Sequence, residues 1–255
     1  MSANIAVEVK ERVLCIEIAR TDKKNALTQD MYRAMSQALA AADADAQVRA
    51  ILIHGTKDCF TAGNDLKDFL NRDPHAGPAA SFDFISGLPK VAKPLIAAVG
   101  GAAVGVGTTM LLHCDLVYAA PGARFQMPFV PLGLVPEAAS SLLLPMIAGY
   151  QRAAELLLLG QPFGADKALA AGFVTEIVAE DKLLEHARAA AAAVAALPPA
   201  SVRLTKQLMK RQLREAIAAQ MQEEGRVFAE RLQSGEAKEA MNAFFEKRKP
   251  DFSRF

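Results

Sequence analysis

Glu137 is the only acidic residue between Asp115 and Glu155, and it follows Pro136 in an otherwise apolar stretch. A carboxylate is costly to bury unless it is paired. Glu137 is therefore either a solvated helix start or a working acid/base. Two glycine-bearing segments suggest what such a base could face: Phe60 to Leu66, and Gly100 to Gly107. Each reads as a strand-to-helix junction. There the first backbone N–H groups have no helical partner and the helix dipole adds partial positive charge. Glycine lets a ligand approach the backbone closely. Two such N–H groups converging on one carbonyl oxygen would form an oxyanion hole. The second segment lacks the G-x-G-x-x-G spacing and the following acid of a dinucleotide fingerprint.

These residues need a scaffold, and the pattern predicts an α/β fold. Residues 5–9 and 12–18 alternate as a hairpin. Thr28 caps a helix running to about Ala42. Strands are predicted at Val48 to Ile53, Leu95 to Val99, Leu116 to Ala119 and Val174 to Val178. Asn64 or Asp65 starts a helix through Phe69, and residues 72–81 read as a loop. The glycine bend leads into a helix through Leu112. A further helix starts near Glu137 and bends or stops before Pro145. Others span Tyr150 to Leu159 and, capped by Asp181, run to Ala196. After Pro198 and Pro199 only helices follow, at about 200–214, 216–233 and 236–247. The expected division is a core domain over 1–197 and a helical region over 198–255.

With 255 residues, 52% of them hydrophobic, the chain can bury a large core. A net charge of +1 gives no overall field for nucleic acid. The cluster Arg203, Lys206, Lys210, Arg211 and Arg214 reads as a solvated helix face. Three scattered cysteines and four histidines form neither a disulfide framework nor a metal motif. No apolar leader opens the sequence and no run resembles a membrane span, so a cytoplasmic location is expected.

The motifs as a set resemble the crotonase, or enoyl-CoA hydratase/isomerase, superfamily. They are Lys24 to Leu27, Phe60 to Leu66, Lys93 to Val99, Gly101 to Gly107, His113 to Leu116, Ala171 to Val174 and Phe244 to Arg248, in order along nearly the whole chain. The resemblance implies a ββα spiral with a C-terminal helical trimerisation region, a homotrimer or hexamer, and acyl-CoA thioester substrates. Coenzyme A would enter as part of the substrate, with no separate cofactor and no metal. By position, the oxyanion donors would be the amides of Ala62 and Val106. Gly63, Asn64, Asp65, Leu66 and Phe129 would lie along the substrate. Lys24, Ala26 and Leu27 would line its nucleotide and pantetheine part, and Lys67 could meet a phosphate. Phe244 and Lys247 would reach a neighbour's adenine site. Asp65 reads as a helix cap and Asp115 as a structural carboxylate.

Relatives that hydrate enoyl-CoA use two glutamates, and this chain has Thr109 and Phe129 at those positions. Neither residue is a competent base at neutral pH. Double-bond isomerisation needs only one base, which removes a proton from C2 and returns it at C4. Glu137 stands where isomerase relatives carry a carboxylate. Apolar neighbours would raise its pKa and a helix start would lower it. The expected activity is conversion of 3-enoyl-CoA to 2-enoyl-CoA. Hydratase or ring-opening isomerase chemistry, or a non-catalytic acyl-CoA or RNA-binding scaffold, stay open as alternatives.

Overall fold

A computed structural model describes residues 2–65 and 79–255. Two sheets carry the architecture. Across the larger run β1 (Ile5–Lys10), β2 (Val13–Ile18), β3 (Ala50–His54), β5 (Leu95–Val99), β7 (Leu116–Ala119) and β10 (Glu176–Ile177). Across the smaller run β4 (Cys59–Thr61), β6 (Ala102–Val104), β8 (Arg124–Gln126) and β9 (Phe163–Gly164). The β1–β2 hairpin and the β8–β9 pair are antiparallel; the other pairings are parallel. The pairs β3–β4, β5–β6 and β7–β8 each place one strand in the large sheet and the next in the small one, with helix following. That repeat is the expected ββα spiral.

Glycine makes the corner between sheets possible. Gly101 sits between β5 and β6 at φ 59°, and a Cβ there would overlap the Asp58 carbonyl oxygen. No other residue fits without moving backbone.

The large sheet is covered on both faces, which is why its central strands read as unbroken apolar runs. Ile51, Ile53, Leu95, Ala97 and Val99 enter the main core. Their alternating neighbours Ala50, Leu52, Ile96 and Ala98 meet α7 (Leu183–Ala196) through Ala187, Ala191 and Ala195. The four-residue spacing of those alanines puts them on one helix face and lets α7 lie close.

The remaining helices in the described residues are α1 (Gln29–Ala44), α2 (Ala80–Gly87), α3 (Val106–Thr109), α4 (Ser140–Ala148), α5 (Tyr150–Leu159), α6 (Ala165–Ala170), α8 (Pro199–Lys210), α9 (Arg214–Leu232) and α10 (Gly235–Phe245). A 3₁₀ turn, Met110–His113, extends α3. Thr28 caps α1 as predicted, its hydroxyl accepting from the Met31 N–H.

The structure revises several boundaries. The predicted strand Val48 to Ile53 is Ala50–His54, and Val174 to Val178 shortens to two residues paired with β7. Asp181 does not cap α7, which opens at Leu183 with no side-chain cap. Pro145 does not end α4 but lies inside it. The helix starts later than predicted, so the missing N–H frees only the Ser141 carbonyl one turn back. The end of the predicted loop at residues 72–81 is helical, because Phe84 and Ile85 of α2 enter the core. The rest of that loop and the helix predicted through Phe69 lie outside the described residues.

The boundary at Pro198 is not a boundary in packing, since Ile217, Met221 and Ala237 belong to the main core. Nor is the basic cluster wholly a solvated face. Lys206 is buried and donates to the Lys93 carbonyl and to Asp115, both at 2.7 Å. Asp115 also accepts the Leu95 N–H at 2.8 Å, so it is the structural carboxylate expected, fixing α8 to the sheet. Burial pulls the Lys206 pKa down while Asp115 opposes that shift.

Removing one member of a buried pair strands the other charge, which typically costs about 3–5 kcal/mol. Lys206→Ala is therefore expected to lower the unfolding free energy by about 3 kcal/mol in urea titration. A loss below about 1 kcal/mol, the usual size for an exposed pair, would show that α8 is held by apolar packing alone.

Candidate active site

The site begins where two parallel strands end side by side. β4 pairs with β6, Thr61 opposite Ala103, so the chain leaves both strands at one end of the small sheet. Two glycines let the exit segments touch. A Cβ on Gly63 would lie 2.8 Å from the Val104 carbonyl oxygen, and one on Gly107 would lie 2.5 Å from the Thr61 methyl. Gly63 holds φ 87°, with its N–H donating to the Thr61 hydroxyl.

Backbone hydrogen bonding decides which amides face outward. The Ala62 N–H donates to the Lys24 carbonyl at 3.0 Å. It is thus occupied, and the expected donor role of Ala62 does not hold. Two residues on, Leu27 forms a parallel bridge with Asn64, its N–H donating to Gly63 O and its carbonyl accepting from Asp65 N–H. In such a bridge the central residue's own N–H points to the opposite edge. The Asn64 N–H has no partner among the described residues. Tyr32, fully buried, donates to the Asn64 side-chain oxygen at 2.6 Å and fixes that residue.

The second amide is where the sequence placed it. Gly105, at φ 58°, precedes α3, and its carbonyl accepts both the Thr108 and Thr109 N–H groups. Val106 opens the helix, and its N–H has no partner among the described residues, as helix geometry requires of a first residue. The Val106 side chain is packed into the main core.

Glu137 does not start a helix. It lies in a turn closed by the Ser140 N–H donating to its carbonyl at 3.0 Å, and α4 begins only at Ser140. Ala138 and Ala139 both hold left-handed backbone, φ 61° and 53°. Such a conformation costs roughly 1–2 kcal/mol per non-glycine residue, so something must hold it. His113 Nε2 bonds the Ala138 carbonyl at 2.8 Å, tying the turn to the 3₁₀ segment that continues α3. The Ala139 N–H donates to Glu224 Oε2 at 2.6 Å, and the Ser141 N–H to Glu224 Oε1 at 3.0 Å.

The Glu137 carboxyl has the electrostatics of a poised base. Its Oε1 is shut off from solvent and has no hydrogen-bond partner among the described residues. Burial, reinforced by the Glu224 charge, raises its pKa to about 8. The lowering expected from a helix start is absent, because Glu137 is not in the first turn of α4. Thr109 is fully buried with its hydroxyl also unpartnered, and Phe129 is buried in the main core. Neither supplies a carboxylate near this turn.

The other predicted residues divide. Lys24 is exposed in a left-handed turn, while Ala26 accepts from Arg20 and Leu27 is buried against Gly63. Asp65 pairs with Arg20 at 2.7 Å; the helix it was expected to cap, with Leu66 and Lys67, lies outside the described residues. Phe244 and Lys247 are exposed near the end of α10, and no hydrogen bond or ion pair joins their side chains to these segments among the described residues. Sequence reasoning missed Tyr32, His113 and above all Glu224. Only Glu224 carried a usable signal, as an acid on a predicted helix flanked by the apolar core positions Met221 and Phe228.

Among the described residues no group of three His, Cys, Asp or Glu side chains is placed to hold a metal ion, and no helix is long and apolar enough to cross a membrane. Residues 8–254 match the enoyl-CoA hydratase/isomerase family. A probable enoyl-CoA hydratase of Rhizobium meliloti is 36% identical over 251 residues, covering 97% of each chain. Enoyl-CoA delta isomerase 2 of Rattus norvegicus is 34% identical over 249 residues, covering 95% of this chain and 63% of that protein. An enoyl-CoA hydratase/isomerase crystal structure from Pseudoalteromonas atlantica T6c superposes with TM-score 0.94 at 45% identity, covering 98% of this chain and 100% of that one. A spiral fold, two open amides at adjoining strand ends and this whole-length similarity agree: the chain belongs to the enoyl-CoA hydratase/isomerase family of the crotonase superfamily.

Proposed function

We propose that the protein shifts the double bond of a 3-enoyl-CoA thioester to position 2, with Glu137 as the single acid/base. The observation that carries this reading is the Glu137 carboxyl, whose Oε1 is shut off from solvent without a hydrogen-bond partner among the described residues and whose pKa is raised to about 8. The thioester oxygen accepts hydrogen bonds from the Asn64 and Val106 N–H groups. These donors strengthen as charge develops on the oxygen, and each contributes roughly 3 kcal/mol in comparable sites. Glu137 takes a C2 proton, the dienolate charge rests on the two amides, and the acid returns the proton at C4. A carboxyl near pKa 8 is basic enough to take that proton and acidic enough to give it back.

Hydration fits the site less well. It would place and activate water with carboxylates, and Thr109 and Phe129 offer none. Similarity to relatives bearing both hydratase and delta-isomerase names is compatible with either reaction, so the side chains decide. Coenzyme A enters as part of the substrate, along the Lys24, Ala26 and Leu27 segment that abuts the Asn64 edge. Exposed Leu204, Leu208 and Met209 on α8 form the apolar face by which we expect the chain to assemble as a trimer or hexamer.

Glu137→Gln is expected to lower kcat on 3-enoyl-CoA at least about a hundredfold, a usual size for loss of a general base, with KM little changed. Turnover equal to wild type would remove Glu137 from the chemistry.

The wild-type kcat/KM should rise with pH and level off above about 8, since the free base is the reactive form. A raised folded-state pKa also means that Glu137 weakens the fold as pH climbs from its ordinary value towards 8. The same Glu137→Gln variant should therefore melt higher than wild type at pH 9 and match it near pH 4. An identical melting difference at both values would show that the carboxyl is not held in a desolvated state.

A further inference from the structure

Glu224 is a buried acid that the proposed chemistry does not use. It comes from α9 in the C-terminal region, yet both its oxygens engage the turn that carries Glu137. Oε2 accepts the Ala139 N–H, and Oε1 accepts the Ser141 N–H and the Ser141 hydroxyl. Gln220, one helical turn earlier on α9, donates to the same hydroxyl at 2.8 Å. The clamp thus spans the two left-handed alanines and the first turn of α4.

We infer that Glu224 is a positioning residue for the reaction, holding the Glu137 turn in its left-handed form and keeping a fixed negative charge beside the base. The inference rests on the reading of Glu137 as that base.

The Glu224 charge opposes ionisation of Glu137, so the two carboxyls do not both ionise readily. Their surroundings decide which one does. Glu224 receives three hydrogen bonds, all of which favour its charged form, although burial pushes its pKa upward. Glu137 Oε1 receives none among the described residues. The negative charge therefore settles on Glu224, and the proton stays with Glu137. Pairs of acids pushed apart in this way take separate roles. Among the described residues the other titratable group bonded to the turn is His113, which burial drives down to about 4, so it remains neutral. Lys210 donates to the His113 carbonyl at 3.0 Å and is paired with Asp115.

A role in positioning differs from mere bracing of the fold. A brace, once lost, lowers stability and the fraction of active protein. A positioning charge, once lost, also changes the proton affinity of Glu137.

The test is ¹³C NMR of carboxyl-labelled glutamate in the full-length protein, with Glu137→Gln assigning the resonance, beside steady-state kinetics on 3-enoyl-CoA. In Glu224→Gln the Glu137 carboxyl should titrate at lower pH, by about half a unit or more. Its kcat should fall at least about tenfold, with KM within about twofold. Ser141→Ala keeps the charge and both backbone bonds, so it should leave the Glu137 titration in place. Folded Glu224→Gln with unchanged Glu137 titration and unchanged kcat overturns the inference. Should that variant not fold, wild type alone decides. There the Glu137 carbon should titrate well above the ordinary carboxylate range, because burial and the ionised Glu224 both oppose its charge, and titration within the ordinary range would equally overturn the inference. Full turnover by Glu137→Gln would instead sink the base assignment while leaving the measured coupling intact.

Discussion

The parallel pairing of β4 with β6 is the constraint on which the site depends. It brings two chain segments out of one sheet edge at the same level, and glycine at 63 and 107 lets them touch. Each segment then turns one amide outward for its own local reason. Asn64 does so because Leu27 bonds its neighbours on the other edge. Val106 does so because it is the first residue of a helix. Neither donor requires a particular side chain, and so a family can keep the amide pair while changing the chemistry around it.

The candidate base is one carboxyl, on a turn tied through His113 to the helix that Val106 opens. The Glu137 turn is neither helix nor extended strand. Two left-handed alanines make it, and bonds to His113 and Glu224 hold it from two sides. The arrangement is unfavourable for stability. It strains backbone, desolvates a carboxyl whose Oε1 has no donor among the described residues and opposes its charge with that of Glu224. Local strain and desolvation of this kind concentrate where a protein does chemistry. The fastening of α8 through Lys206 and Asp115 and the entry of α9 into the main core are then more than structural decoration. They hold in register the helix that carries Glu224.

Much of this was legible in the sequence, and the gaps have physical causes. The strands Leu95–Val99 and Leu116–Ala119 and the helix Tyr150–Leu159 lie where apolar pattern and flanking residues place them. The Val106 amide and the isolation of Glu137 were equally readable. The short strands of the small sheet were not, because three residues are too few to show alternation. The open amide lies at Asn64 and was expected at Ala62, since only long-range pairing with Leu27 and Lys24 shows which amide is occupied. Glu137 looked like a helix start because Pro136 precedes it. The left-handed turn that follows rests on contacts 25 and 85 residues apart in sequence, to His113 and Glu224. No local pattern encodes such contacts.

The claim that one carboxyl does the proton transfer is tested most directly by isotope position. 3-Enoyl-CoA carrying deuterium at C2 should give 2-enoyl-CoA with part of that label at C4. On this account a single desolvated acid returns the proton it took faster than solvent exchanges it. Product formed with no deuterium at C4, or conversion to 3-hydroxyacyl-CoA in its place, would contradict a lone base facing the two amides.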